Sequence, residues 1–169
     1  MKKFIFFLLL FNIFSNETNA EIVYIDINLI LKKSNVGRSL NLYLDEENNK
    51  HSKKYKEIEQ KLIDKEKILI SQQNILDENE FKNKLDALSV DVKKFRYDRK
   101  LTFDELKKIK LENTKKILNF LNPIIADYVE KNSINLVLTK KNIVVGKKNL
   151  DITDKIITIL NSKVKDLNF

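Results

Sequence analysis

Cysteine is absent from the 169 residues, histidine occurs once, and there are only two glycines and one proline. Without cysteine the chain has no disulfide framework, no Cys–zinc site and no thiol nucleophile. A single histidine excludes His clusters for metals and most His-based triads. Glycine and proline fall far below their usual shares of about 7% and 5%. A chain so poor in turn residues makes few tight turns and must consist of long, uninterrupted elements. Arginine is scarce too: three of 32 basic residues, the other 29 being lysine, beside 20 Asn and 21 Ile. Lys, Asn and Ile rise together as a general compositional bias. A dedicated phosphate reader favours the bidentate fork of Arg, so the formal charge of +8 is weak evidence of nucleic-acid binding.

What is present begins with an address. Lys2 and Lys3 precede an unbroken apolar run over residues 4–11, and Thr18-Asn19-Ala20 follows. A positive start, a short apolar stretch and a small residue predict a signal peptide over residues 1–20, cut after Ala20. The run is too short for a spanning helix of about 20 apolar residues. The mature chain, residues 21–169, would carry +7 and enter an oxidising compartment with nothing to oxidise.

Ile22-Val23-Tyr24-Ile25 reads as a short strand. Asp26 and Asn28 are candidate caps for a short helix to Lys33, and Ser34-Asn35-Val36-Gly37 breaks the pattern. Residues 40–73 contain neither Gly nor Pro. A heptad frame with Leu44, His51, Ile58, Lys65 and Gln72 at d puts Asn48, Tyr55, Leu62, Leu69 and Leu76 at a. Six of the ten are apolar, which is a leaky seam. Asp77 at N-cap, Glu80 at N3 and the Leu76/Phe81 staple pair predict a helix start, and hence a hairpin tip near 74–78. The return helix, from Glu78 to about Asn122, repeats apolar residues every eleven: Phe81, Val92, Phe103; Phe95, Leu106, Ile117, Tyr128; Ile109, Phe120. That period gives a nearly straight stripe. Pro123 should kink this helix or start another. Ile134-Asn135-Leu136-Val137-Leu138-Thr139 and Ile143-Val144-Val145-Gly146 read as strands joined by a hairpin at Lys140-Lys141-Asn142. Thr153 is a candidate cap for a final amphipathic helix with Ile156, Ile157, Ile159 and Leu160.

The expected architecture is mainly α with a small β body. Residues 40–122 form a long antiparallel helical hairpin, and residues 21–39 and 123–169 form the body. Three short strands and one helix bury too little area to stand comfortably alone. The sheet should therefore be completed by self-association, with Ile22, Val23, Ile25, Leu136, Leu138 and Val144 as candidate contact residues.

The order of parts resembles the Skp/OmpH chaperones. At the front the resemblance rests on Ile22-Val23-Tyr24-Ile25-Asp26, the segment from Leu31 to Ser34, and Gly37-Arg38 opening a long charged helix. At the back it rests on Ile134-Asn135-Leu136-Val137-Leu138, Ile143-Val144-Val145 and Leu150-Asp151-Ile152-Thr153. It implies a periplasmic, ATP-independent holdase without a cofactor. It also implies a homotrimer whose helical arms enclose unfolded outer-membrane protein clients, and which is not an enzyme. Some members are proposed to contact lipopolysaccharide, but no such site can be matched here residue by residue.

Few residues offer chemistry. His51 beside Asp45-Glu46-Glu47 has no companion ligand or nucleophile, so a solvated or loosely packed helix residue is the expectation. The three acids lack the Gly and the spacing of a calcium loop. The densest basic cluster runs from Lys93 to Lys100 and contains Lys94, Arg96 and Arg99, with Phe95 and Tyr97 between. It is the candidate surface for acidic clients, anionic lipid or lipopolysaccharide, although on a helix such residues spread around the circumference. Residues 40–80 carry 7 basic and 10 acidic groups, and residues 81–122 carry 12 and 6. The difference, −3 against +6, favours antiparallel pairing of one chain's two arms. The alternatives are a structural envelope coiled coil and a polyanion-binding protein. Export argues against nucleic acid as the partner.

Overall fold

The computed structural model describes residues 21–165 and 167, so the expected signal peptide lies outside the described residues. The chain runs β1 (Glu21–Ile25), α1 (Ile27–Lys33), α2 (Asn35–Ser71), α3 (Glu78–Lys131), β2 (Ile134–Thr139) and α4 (Thr153–Lys163). At about 1.5 Å per residue, the 37 residues of α2 span roughly 55 Å and the 54 of α3 roughly 80 Å.

β1 and β2 pair in parallel, Ile22 opposite Leu136, Val23 opposite Val137, Tyr24 opposite Leu138 and Ile25 opposite Thr139. Parallel neighbours need a long crossover, and here the whole helical hairpin is that crossover. The other edge of β1 meets the C-terminal segment through a parallel bridge from Tyr24 to Asp151, with Ile152 N–H donating to Tyr24 O at 3.0 Å.

The expected third strand at residues 143–146 and its hairpin do not form. Lys140–Asn142 is a single 3₁₀ turn, and Val144 and Val145 are 100% and 87% exposed. β-branched propensity is realised through a neighbouring strand and same-face packing, and this segment has no strand partner among the described residues. The sheet is therefore two-stranded. Thr153 is not the cap of α4, which has no side-chain cap bond. Its Oγ1 instead accepts from Asp26 N–H at 2.9 Å and donates to the Asp151 carboxylate. The Leu150-Asp151-Ile152-Thr153 stretch thus stitches the end of the chain to the β1–α1 joint. Of the two candidate caps for α1, Asp26 serves, accepting from Leu29 N–H at 2.9 Å.

The Ser34 to Gly37 segment is a joint rather than a break. Ser34 closes α1 by donating its N–H to Ile30 O, and opens α2 by accepting Gly37 N–H on Oγ at 3.2 Å. α2 therefore begins at Asn35, earlier than expected, and Gly37 sits in its first turn because the C-terminal end of α1 lies against it. A Cβ there would lie 1.9 Å from the Leu31 carbonyl oxygen. α3 runs unbroken through Pro123, which costs it the backbone donor of residue 123 but not its continuity. It ends at Lys131 with Asn132 as its C-cap, and Ser133 takes the left-handed conformation (φ 52°) that turns the chain into β2.

The core lies at one end of the molecule. Val23 and Ile25 of β1, Ile30 of α1, Val36 and Leu40 of α2, Ile117, Leu121 and Ile124 of α3, and Ile156 and Leu160 of α4 are all buried in one cluster. The roots of both long helices belong to it, so it is larger than three strands and a helix would give. Beyond the roots, the buried apolar side chains of the hairpin are Tyr55 and Leu69.

The α1–α2 joint supplies a test. In Gly37→Ala the clash is with backbone and cannot be relieved by a rotamer change. Overpacking at the upper end costs about 3 kcal/mol, offset by about 1 kcal/mol of helix propensity. The mature chain should lose about 2 kcal/mol in denaturant titrations and melt about 4–8 °C lower. An unchanged midpoint would mean that the two helices do not meet this closely.

Candidate functional site

The hairpin surface and the open side of the sheet both carry unspent chemistry. Beyond Leu40 the sheltered positions of α2 and of the turn after it are Tyr43, Leu44, Glu47, His51, Tyr55, Ile58, Leu62, Leu69, Gln72 and Leu76, so the expected frame loses Asn48 and Lys65 and is joined by Tyr43 and Glu47. On α3, Phe95, Leu106, Ile117 and Tyr128 of the eleven-residue set all turn away from solvent, whereas Phe120 is 44% exposed. The two rods lie antiparallel: Tyr55 meets Asp98 and Thr102, and ten residues further along α2 Lys65 meets Asp91 at 2.7 Å.

Tyr55 is the centre of this seam. It is 5% exposed, its ring lies 6.0 Å from Phe95 and 6.2 Å from Phe103, and His51 stacks on it at 6.5 Å. Its hydroxyl bonds to Asp98 O at 3.0 Å and to Thr102 Oγ1 at 2.6 Å. A buried phenol with a paired hydroxyl locks rotation and axial register together. The sequence placed Tyr55 in the frame, but its polar partners lay 43 and 47 residues away and carried no local signal. His51 proves to be a partly sheltered seam residue, its Nε2 3.3 Å from Glu47.

Elsewhere the seam is loose. Near the tip a groove of about 390 Å³ opens between the rods, walled by Ile68, Leu69, Ala87 and Leu88 and edged by Lys65 and Asp91. A second, of about 280 Å³, lies beside Tyr55, Ile58, Leu62 and Phe95, with Asp91 and Asp98 on its rim. A third, of about 310 Å³, lies nearer the body between Leu44 and Leu106, with Asp45 on its rim. Leu42, Ile63, Ile68, Ile70, Val90, Tyr97, Leu101 and Leu111 are 39–63% exposed along the arms, and Ile75 at the tip is 80% exposed. At the tip Asp77 Oδ1 accepts Glu80 N–H at 2.9 Å. The Glu80 carboxylate lies 3.0 Å from Lys84.

The basic cluster sits midway along α3. Lys93, Lys94, Arg96, Arg99 and Lys100 are all exposed, whereas Phe95 and Asp98 turn inward. Spacings of three and four bring Lys93, Arg96 and Lys100 onto one side. Lys94 is drawn off that group by Asp98, 2.9 Å away. Its hydrogen bond to that carboxylate, and then the carboxylate's charge, raise the Lys94 pKa above the ordinary lysine value. A raised lysine pKa favours the paired state below the ordinary value, and that contribution fades only as pH climbs through the raised one, far into alkali.

The candidate contact residues of the body divide by strand alternation. Val23 and Ile25 turn into the chain's own core at 2% and 3% exposure. Ile22, Leu136 and Leu138 are 37–47% exposed, with Ile22 directly opposite Leu136, and Val144 is fully exposed. An apolar sheet face in water thus adjoins an extended segment without a strand partner among the described residues.

A long helical hairpin rooted in a small parallel-stranded body defines a class of elongated helical proteins. The family profile of OmpH, described as outer membrane protein (OmpH-like), matches residues 21–160, and the chain belongs to that family. A crystal structure from Caulobacter crescentus CB15, provisionally described as an outer membrane chaperone (OmpH-like), shares the fold. Its TM-score is 0.77 at 15% identity, over 88% of each chain. No curated protein matches the sequence.

The seam yields its own prediction. Tyr55→Phe keeps the ring but removes the hydroxyl's bonds to Asp98 O and Thr102 Oγ1, which keep their own bond at 3.0 Å, and should cost about 1 kcal/mol. Tyr55→Ala should cost about 3–5 kcal/mol locally. Amide exchange near residues 50–60 and 95–105 should accelerate in that order, while the core around Ile117 and Leu160 keeps its protection. Equal acceleration in arm and core would show that the two do not open independently.

Proposed function

We propose that the protein is an ATP-independent periplasmic holdase for unfolded outer-membrane proteins. The observation that carries this reading is the contrast between body and arms. One end has a packed core, and the other is a pair of rods joined at few points and studded with isolated apolar side chains. An unfolded client presents no fixed surface, so many weak contacts suit it better than one pocket. Each contact is weak, but a client held at one point meets the next at high effective concentration. Membership of the OmpH-like family supports a chaperone role.

In this reading residues 40–122 are the arm and residues 21–39 and 123–169 the body, and a leader over residues 1–20 is removed after Ala20. The body self-associates as a homotrimer through Ile22, Leu136, Leu138 and Val144, burying an apolar face that is costly to leave in water. Lys93, Lys94, Arg96, Arg99 and Lys100 attract acidic clients, and anionic lipid or lipopolysaccharide would use the same charges. Exposed charges are screened beyond about 8–10 Å at physiological salt. They therefore speed capture more than they tighten the final complex.

The mature chain at modest molar excess should slow aggregation of an unfolded outer-membrane β-barrel diluted from denaturant. Replacing the five basic residues with Gln should slow capture several-fold at low salt and leave it unchanged at high salt. Solution mass should read three chains, and Leu136→Glu with Leu138→Glu should reduce it to one. No delay of aggregation by the wild-type chain would remove the holdase reading.

A further inference from the structure

Where α1, α2 and α3 converge on the body, a cleft of about 220 Å³ has a lining unlike those of the grooves along the seam. Each of those three grooves carries at least one aspartate. This cleft carries Lys32 from α1 and Lys110 from α3, with Asn28, Asn41 and Thr114 between them, and no carboxylate. Its floor is apolar, with Leu40 and Ile117 buried beneath. Asn41 and Lys110 also border the adjoining groove, whose Asp45 makes no ion pair with Lys110. Neither lysine has an ion-pair partner among the described residues, and neither Asn28, Asn41 nor Thr114 has a side-chain hydrogen-bond partner there.

Five polar side chains from three helices therefore open on one concavity, with two uncompensated positive charges. Unpaired lysines are common on this surface, but here two of them, from different helices, line one concavity that holds no carboxylate. A concave wall of low polarity focuses the field of the charges that line it. A single carboxylate brings one negative charge and leaves the pair of ammoniums with a net +1. A phosphomonoester brings about −1.5 to −2 charge at neutral pH and three acceptor oxygens, which suits two ammoniums and the neighbouring amide and hydroxyl donors.

We infer that this shoulder cleft binds a phosphomonoester-class dianion through Lys32 and Lys110. The site is separate from the basic cluster at residues 93–100, and its root position ties α1 to both rods. The chemistry is shared by free phosphate and by a phosphomonoester headgroup, and the two sources can be separated. Equilibrium dialysis of the mature chain with radiolabelled inorganic phosphate, at constant ionic strength in chloride, should show saturable binding. Lys32→Gln with Lys110→Gln should weaken it at least tenfold. Lys53→Gln with Lys56→Gln, on the outer surface of α2, should leave it unchanged, and circular dichroism should report all variants folded. Co-sedimentation with phosphatidylcholine vesicles with and without phosphatidic acid provides the second arm. Retention that needs phosphatidic acid and is lost in the Lys32/Lys110 variant assigns a headgroup. Phosphate binding without vesicle retention assigns a soluble ligand. No saturable response to either probe, or a response that the Lys32/Lys110 variant retains in full, overturns the site.

Discussion

Everything in this molecule is arranged around a parallel pairing between its first described strand and one that begins more than a hundred residues later. Side-by-side strands running the same way cannot be joined by a tight turn, so the chain must leave the sheet and return to its starting end. Most proteins make that journey with one helix packed across the sheet. Here it is made outward and back, by two rods that pack on each other. The body is small because the crossover takes most of the residues, and the rods are long because no sheet face limits their length.

That arrangement distributes stability unevenly. At the roots, β-branched and leucine side chains from six elements interlock, and polar groups there are placed with care: Ser34 caps one helix while closing another, and Thr153 bonds to Asp26. Along the rods, burial falls to scattered positions and most charged contacts are exposed, such as Lys65 with Asp91, where pairs contribute about 1 kcal/mol or less. Tyr55 is the exception, a point of definite register in an otherwise permissive interface. A surface of this kind can yield locally while its roots hold.

Much of this was legible in the sequence, for identifiable reasons. The scarcity of Gly and Pro pointed to long rods, and the Asp77/Glu80 cap located the tip within a few residues. Helix periodicity sorted Tyr55, Leu62 and Leu69 to the seam. What escaped were features decided by distant partners. Val144 and Val145 have the composition of a strand but no neighbour to pair with among the described residues, so propensity alone did not make them one. Thr153 looked like a cap because Ser and Thr favour that position, yet a backbone N–H 127 residues away held its hydroxyl. Gly37 looked like a breaker because Gly lacks a Cβ, and that lack is what α1 exploits. Lys32 and Lys110 were two lysines among 29 until the fold brought them to one cleft.

The separation of β1 from β2 also has a temporal side. β1 and its partner are separated by some 109 residues, and closing so long a span costs chain entropy before the pairing repays it. Until it closes, Val23 and Ile25 have no sheet to join. α2 and α3 need only each other, and by zipping up from their shared turn they shorten the span that must be closed. Local contacts of this kind form early, and contacts distant along the chain form late. The rods therefore act as a folding tether as well as a finished structure, carrying the second strand back to the first.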